Sequence, residues 1–275
     1  MIRANFNILI VGSMPLSPSL KKRQVKSVVV KSLERSRITQ RITKAALEAG
    51  ASIVGVADLD IVKGLPSYDG LRLDTFRSAI SYAVPLPGQA FELIHESDPG
   101  RFYAWAYKTA NQLLDIIGIR VASLISSLGG ESLAIPSSMR VDPFNELGHV
   151  SHKAFALAAG LGWIGRNNLL VTPDYGPRVR LGTVLTDLEL DSGSPMDNKC
   201  GDCRLCILSC PSKALSYREF KTRPSTREEI FDPKKCSARL NNMKEILSKK
   251  PGIGEFAVTV CGMCIKVCPY GKKAR

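Results

Sequence analysis

All eight cysteines of this 275-residue chain lie between positions 200 and 268. Cys200, Cys203, Cys206 and Cys210 follow the spacing C-x2-C-x2-C-x3-C, and Pro211 comes next. Cys236 stands by itself, and Cys261, Cys264 and Cys268 form a second group with Pro269 directly after. In such a run three thiolates surround one [4Fe-4S] cube, while the fourth, turned away by the longer interval and the proline, reaches a second cube. The second group offers only three cysteines, so its cube needs another ligand, and Cys236 is the one left. Eight thiolates fill two cubes with none over. A zinc site would pair C-x2-C with a distant pair or with histidines, and a disulfide framework needs an oxidising compartment to which nothing directs this chain.

Two other groups of residues invite a chemical reading. Glu146, His149 and His152 are spaced to line one helical face. A di-iron bundle would need matching pairs on other helices, and the histidines for them are lacking, so capping or partly exposed residues at a helix start is the expectation. Residues 160–165, GLGWIG, match G-x-G-x-x-G. A dinucleotide fingerprint needs a strand before the glycines and a helix after them, whereas here a helical pattern precedes and a strand-like run follows. The glycines suit a sharp turn, or a close approach of backbone to a flat ligand.

These residues must be positioned by the elements around them. Ile42, Ala45, Ala46 and Ala49 recur at helical spacing over 39–49, with Gly50 to end the turn. Residues 51–57 and 78–84 read as buried strands, the second closed by Pro85 and Pro87. A long amphipathic helix is predicted over 101–128, ended by Gly129 and Gly130, then a strand over 132–135. A helix over 150–159 and strands over 169–172 and 178–186 complete the pattern. The expected class is α+β, layered in the α/β manner. The predicted division is a basic N-terminal extension at 1–35, an α/β cofactor and substrate domain at 36–196, and a ferredoxin-like double-cluster domain at 197–275.

The net charge of +13 is unevenly spread, at +8 over residues 1–50, −4 over 51–196 and +9 over 197–275. Cubes ligated by four thiolates are anionic, so C-terminal basic residues are expected to offset them rather than to form a nucleic-acid surface. The longest uncharged apolar run, 154–165, falls short of the roughly 20 residues a spanning helix needs. The apolar piece at 8–12 precedes the basic run Lys21-Lys22-Arg23 instead of following it, as a secretory signal would. A cytoplasmic protein without a membrane segment is expected.

Residues 151–190 (SHKAFALAAGLGWIGRNNLLVTPDYGPRVRLGTVLTDLEL), 199–215 (KCGDCRLCILSCPSKAL), 232–236 (DPKKC) and 261–271 (CGMCIKVCPYG) together resemble the epoxyqueuosine reductase family. The YGPRVR segment is also similar to the corrinoid-dependent reductive dehalogenases. The resemblance implies a cobalamin in the domain before the ferredoxin-like module, bordered by Gly160, Gly162, Trp163 and Gly165. It implies two [4Fe-4S] clusters, one on Cys200, Cys203, Cys206 and Cys268 and the other on Cys210, Cys236, Cys261 and Cys264. An aspartate before the GLGW helix is the family's proton donor. Gapless counting places Glu146 there, and a one-turn shift places Asp142. Epoxyqueuosine reductases commonly continue into a helical-repeat domain that helps hold tRNA, whereas here seven residues follow Cys268. The dehalogenases carry a twin-arginine export signal that this sequence lacks. Fold and cofactors are therefore expected to carry over more fully than substrate. The implied activity is reduction of an epoxide-like electrophile, with tRNA as substrate and an external donor of ferredoxin or flavodoxin type. The alternative is an electron-transfer protein without substrate chemistry of its own.

Overall fold

The computed structural model describes residues 18–62, 64–143, 145–252 and 258–272, with side chains from position 30 onward. Its centre is β2 (Ser78–Pro85), an unbroken run of buried positions with Pro85 at its end. β2 pairs antiparallel on one side with β1 (Ile53–Asp58) and on the other with β6 (Val179–Thr186). β3 (Ser132–Ile135) joins the far edge of β6, giving the order β1-β2-β6-β3. An antiparallel sheet often leaves one face wet, but this one is covered on both sides, which is why β2 is buried from Ser78 to Val84 rather than at alternate positions.

Ile80, Tyr82, Val84 and Val184 face a layer built by α1 (Pro18–Glu48) and α3 (Arg101–Ser127). Ala79, Ala83, Leu181 and Leu185 face α4 (His152–Ala158). Along α3 the buried residues Tyr103, Ala106, Ala110, Leu114, Ile117, Val121 and Ile125 form one stripe. Gly129, at φ 82°, ends that helix: its N–H bonds the Ser126 carbonyl, and the Gly130 N–H bonds that of Ile125. Gly118 and Gly182 leave room for the Tyr82 ring, whose hydroxyl donates to the Leu114 carbonyl at 3.0 Å. Burial holds that phenol well above its ordinary pKa.

The helix expected over 39–49 begins instead at Pro18 and runs through position 36 without a break. Arg35 bonds Glu189 and Asp191, and Ser36 bonds Asp191, so the described end of the basic extension is tied to the chain after β6. Residues 1–17 lie outside the described part. The glycine loop holds an element absent from the expectation, β4 (Trp163–Ile164), which pairs in a two-stranded ribbon with β5 (Leu170–Val171), itself inside the strand expected over 169–172. Two residues per strand are too few to show a period.

Candidate iron–sulfur centres and the adjoining cleft

Two single helical turns carry one thiol each from the two cysteine groups, Cys206 on α5 (Leu205–Leu208) and Cys264 on α7 (Met263–Lys266). Gly262, at φ 80°, opens α7, and a side chain there would strike Ile94 and Tyr103. Cys236 sits in the first turn of α6 (Pro233–Ser248). That helix starts where Asp232 Oδ1 accepts from the N–H groups of Lys234 at 3.0 Å and Lys235 at 3.1 Å, with Pro233 at the first position. The Asp-Pro pair was a readable helix start. It places the lone cysteine at the positive end of a helix, which favours an anionic centre.

The thiols gather into two sets. Burial pushes Cys206 up to about 12, and its charged neighbours are Cys200, Cys268 and Cys203. Cys236 is also pushed up to about 12 by burial, then by Cys210, Cys261 and Glu146. Cys264 is raised by burial, then by Cys261, Cys236, Cys206 and Cys210, so it also borders the other set. The sets are Cys200, Cys203, Cys206 and Cys268, and Cys210, Cys236, Cys261 and Cys264. Buried thiols pressed together resist ionisation unless cationic iron compensates them, and the donor set fits two cubes. Among the described residues no three His, Cys, Asp or Glu side chains converge closely enough to hold a single metal ion.

Sequence reading missed the arginines that seat the thiol lobe on the sheet domain. Arg178, only 3% exposed, donates to the carbonyls of Tyr270 at 2.6 Å, Lys266 at 3.1 Å and Cys268 at 3.2 Å. Arg166 donates to the carbonyls of Gly201 and Arg218 and lies over the Tyr217 ring. Both occur in the quoted segments GRNN and YGPR, but nothing local marks an arginine as buried. The glycine loop serves the same junction. A Cβ at Gly160 would meet the backbone of Ser194, one at Gly162 that of Val171, and one at Gly165 the side chains of Asn167 and Val171. Trp163 packs edge-on against Tyr270. The close approach expected at a flat ligand is made here to the chain itself. Arg166, Asn167 and Val171, just beyond the loop, line the recess of the first thiol set.

A cleft of about 620 Å³ opens on the other side, lined by Tyr107, Asn111 and Asp115 of α3, residues 136–140, residues 148–150, His152, Lys244, Val258 and Thr259. The second thiol set lies next to it: Cys261 is two residues beyond Thr259, and the ring of Tyr103, which senses Cys264 and Cys261, meets that of Tyr107 edge-on. Arg180 stacks over Tyr107 and draws its phenol pKa down. His152 is half-buried and held near pKa 4, chiefly by desolvation. Its Nε2 faces the Pro136 carbonyl at 3.2 Å and must donate, so Nδ1 accepts from Thr183 Oγ1 at 2.9 Å. It is a structural, neutral histidine.

Neither candidate acid is among the residues that line the cleft. Glu146, at φ 57°, pairs with Arg140 at 2.8 Å and accepts from Ser237 Oγ at 2.5 Å, beside Cys236. Asp142 accepts from the backbone N–H of Asn145 at 2.9 Å and from its amide at 2.7 Å. The structure makes Glu146 a tie between the cleft loop and α6.

Fold and site define the class: an α+β domain docked on a thiolate lobe built for two iron–sulfur clusters. Residues 199–271 match the family of 4Fe-4S double cluster binding domains. The chain is similar to the epoxyqueuosine reductase of Gloeobacter violaceus, at 35% identity over 138 residues, 49% of this chain and 40% of the relative. Its fold is that of a catabolic reductive dehalogenase (TM-score 0.64, 21% identity, 86% of this chain and 32% of that one). It is also that of the epoxyqueuosine reductase from Streptococcus thermophilus (TM-score 0.54, 23% identity, 85% and 66%). The matches span less than half the length of the curated relatives matched first.

Proposed function

We propose that this protein is an iron–sulfur reductase that takes electrons from a ferredoxin or flavodoxin type donor through two [4Fe-4S] clusters to a corrinoid in the cleft, reducing an epoxide-like electrophile. The observation that carries the reading is the adjacency of the second thiol set to the cleft, through Cys261, Tyr103 and Tyr107. A corrinoid, when bound, supplies a cobalt centre that can be reduced to a nucleophile. The chain's own part is to surround that space with donors: the Tyr107 hydroxyl, the Asn111 and Ser138 side chains, and the cations Arg140 and Lys244. In this reading Gly160, Gly162, Trp163 and Gly165 act at one remove, by holding the wall between the sheet and the first cluster. Asp142 and Glu146 hold the loop over the cleft. The order of domains is a cofactor and substrate domain first, the ferredoxin-like lobe second.

The substrate proposed is an epoxyqueuosine-type modified tRNA, because a solved epoxyqueuosine reductase of this fold carries an epoxyqueuosine-modified tRNA stem loop. Among the described residues no helix is long and apolar enough to cross a membrane. Anaerobic reconstitution with iron, sulfide and cobalamin tests the reading. The expected result is about eight irons and one corrinoid per chain, with conversion of a stem-loop RNA carrying epoxyqueuosine. Eight irons with no retained corrinoid would instead identify an electron-transfer protein.

A further inference from the structure

We propose that His149, held by Asp69, is the group that delivers a proton to substrate in the cleft. The inference rests on the reading of the cleft as a reductase site and names the acid that the reading leaves open. His149 lines the cleft, and its Nε2 lies 3.2 Å from Asp69 Oδ2. The backbone fixes the pair, since the Tyr68 N–H donates to the His149 carbonyl at 3.2 Å and Asp69 occupies a turn at φ 57°. The other ring nitrogen, Nδ1, is buried and has no partner among the described residues. A carboxylate at Nε2 keeps the hydrogen of the neutral ring on that nitrogen, so Nδ1 is the nitrogen left to gain and give up a proton.

The carboxylates and the second histidine at or beside the cleft are committed, which leaves the cations Lys108 and Lys244 and the phenol of Tyr107 as its other titratable groups. Glu146 is taken by Arg140 and Ser237, Asp142 by Asn145, and Asp115 by the N–H of Ser137 at 2.8 Å. His152 has both nitrogens bonded. Tyr107 reaches Ser138 Oγ at 3.4 Å under Arg180 and is the competing donor. Reductive cleavage of an epoxide-type C–O bond consumes two electrons, supplied by the external donor, and two protons. Both C–O bonds of the epoxide break and the two electrons become the carbon–carbon π bond; the proton on Nδ1 of His149 and a second proton from solvent form the two O–H bonds of the departing water, and solvent reprotonates the ring.

The test uses the full chain loaded with iron and cobalamin, and a stem-loop RNA carrying epoxyqueuosine. His149→Gln is expected to lower kcat by about 100-fold, with KM, iron content and bound cobalamin unchanged. His149→Ala should regain turnover when imidazole is added, and Asp69→Asn should lower kcat less than His149→Gln does. An unchanged kcat in His149→Gln, or a loss in His149→Ala that imidazole does not restore, overturns the proposal. So does a Co(II) paramagnetic signal split by an axial nitrogen that His149→Gln abolishes, because Nδ1 would then be a cobalt ligand. So does loss of turnover in Tyr107→Phe with His149→Gln active. A native protein that binds cobalamin but never converts the RNA overturns the underlying reading together with it.

Discussion

Cys200, Cys203, Cys206 and Cys268 line a recess bordered by Arg166, Asn167 and Leu205, and the neighbouring Leu208 projects into solvent. Cys236, Cys261 and Cys264 instead lie against Glu146, Tyr103 and the approach to the cleft. The ligand chemistry is the same in both places, four thiolates each. What differs is the neighbourhood: the first set, outer with respect to the cleft, borders Arg166 and Arg178, and the second, inner set borders Tyr103, the cleft and an extra carboxylate, Glu146. Under the proposed function, that difference would make the outer set the one that receives electrons and the inner set the one that delivers them.

The largest test of that assignment is Cys236→Ala. It should lower bound iron from about eight to about four per chain and abolish turnover of the epoxyqueuosine stem-loop, while the outer cluster's reduced-state spectrum persists. Full iron with an unchanged spectrum would falsify the grouping of that cysteine. Next is Arg178→Leu, which leaves three carbonyls of the second cysteine segment without their donor under cover. A loss of roughly 3–5 kcal/mol is expected, read as a lower urea midpoint. Because one of those carbonyls belongs to Cys268, the outer cluster should be shed first on dilution. Selective loss of the inner cluster would reverse the comparison.

A third test concerns how dry the cleft wall is beside the inner set. The unfolded chain takes up a proton on His152 below about pH 6.5, and the folded protein only below about 4. Protons therefore favour unfolding across that window, and stability should fall as pH drops from about 6.5 to about 4, by roughly 3 kcal/mol in all. Denaturation of the native protein and His152→Gln at several pH values isolates this contribution. Parallel curves would show that the site admits water.

The smallest effect is expected from Glu146→Gln. Its ion pair with Arg140 is partly exposed, so stability should change by about 1 kcal/mol or less. Removing a negative charge beside Cys236 should nonetheless raise the reduction potential of the inner cluster and leave the outer one in place. Redox titration followed by paramagnetic resonance would separate them, and equal shifts in both would place Glu146 elsewhere in the electrostatics.

Much of this molecule was legible without coordinates. The strand expected at 132–135 is β3 itself, and those expected at 78–84 and 178–186 differ from β2 and β6 by one residue at an end. Strand and helix periods are local properties, and buried runs closed by proline or glycine announce themselves. The cysteine count likewise required two cubes and made Cys236 the needed ligand, because ligand number is a matter of arithmetic and spacing.

Other features depended on residues far apart in sequence. Whether Glu146 faces a cleft or binds Ser237, 91 positions away, is decided by how α6 packs, and the extra methylene of Glu over Asp says nothing about it. The GLGWIG glycines declare that something must come close. Only the fold shows that the neighbours are Ser194 and Val171 rather than a ligand. Asp69 and His149 lie 80 positions apart in stretches with no shared period, and a turn at φ 57° brings them together. Sequence alone determined the two cysteine groups and the four strands of the main sheet, because spacing and hydrophobic period act over a few residues. Tertiary structure decided which polar side chains are committed and which nitrogen is left without a partner, because hydrogen bonds saturate only once distant segments are packed.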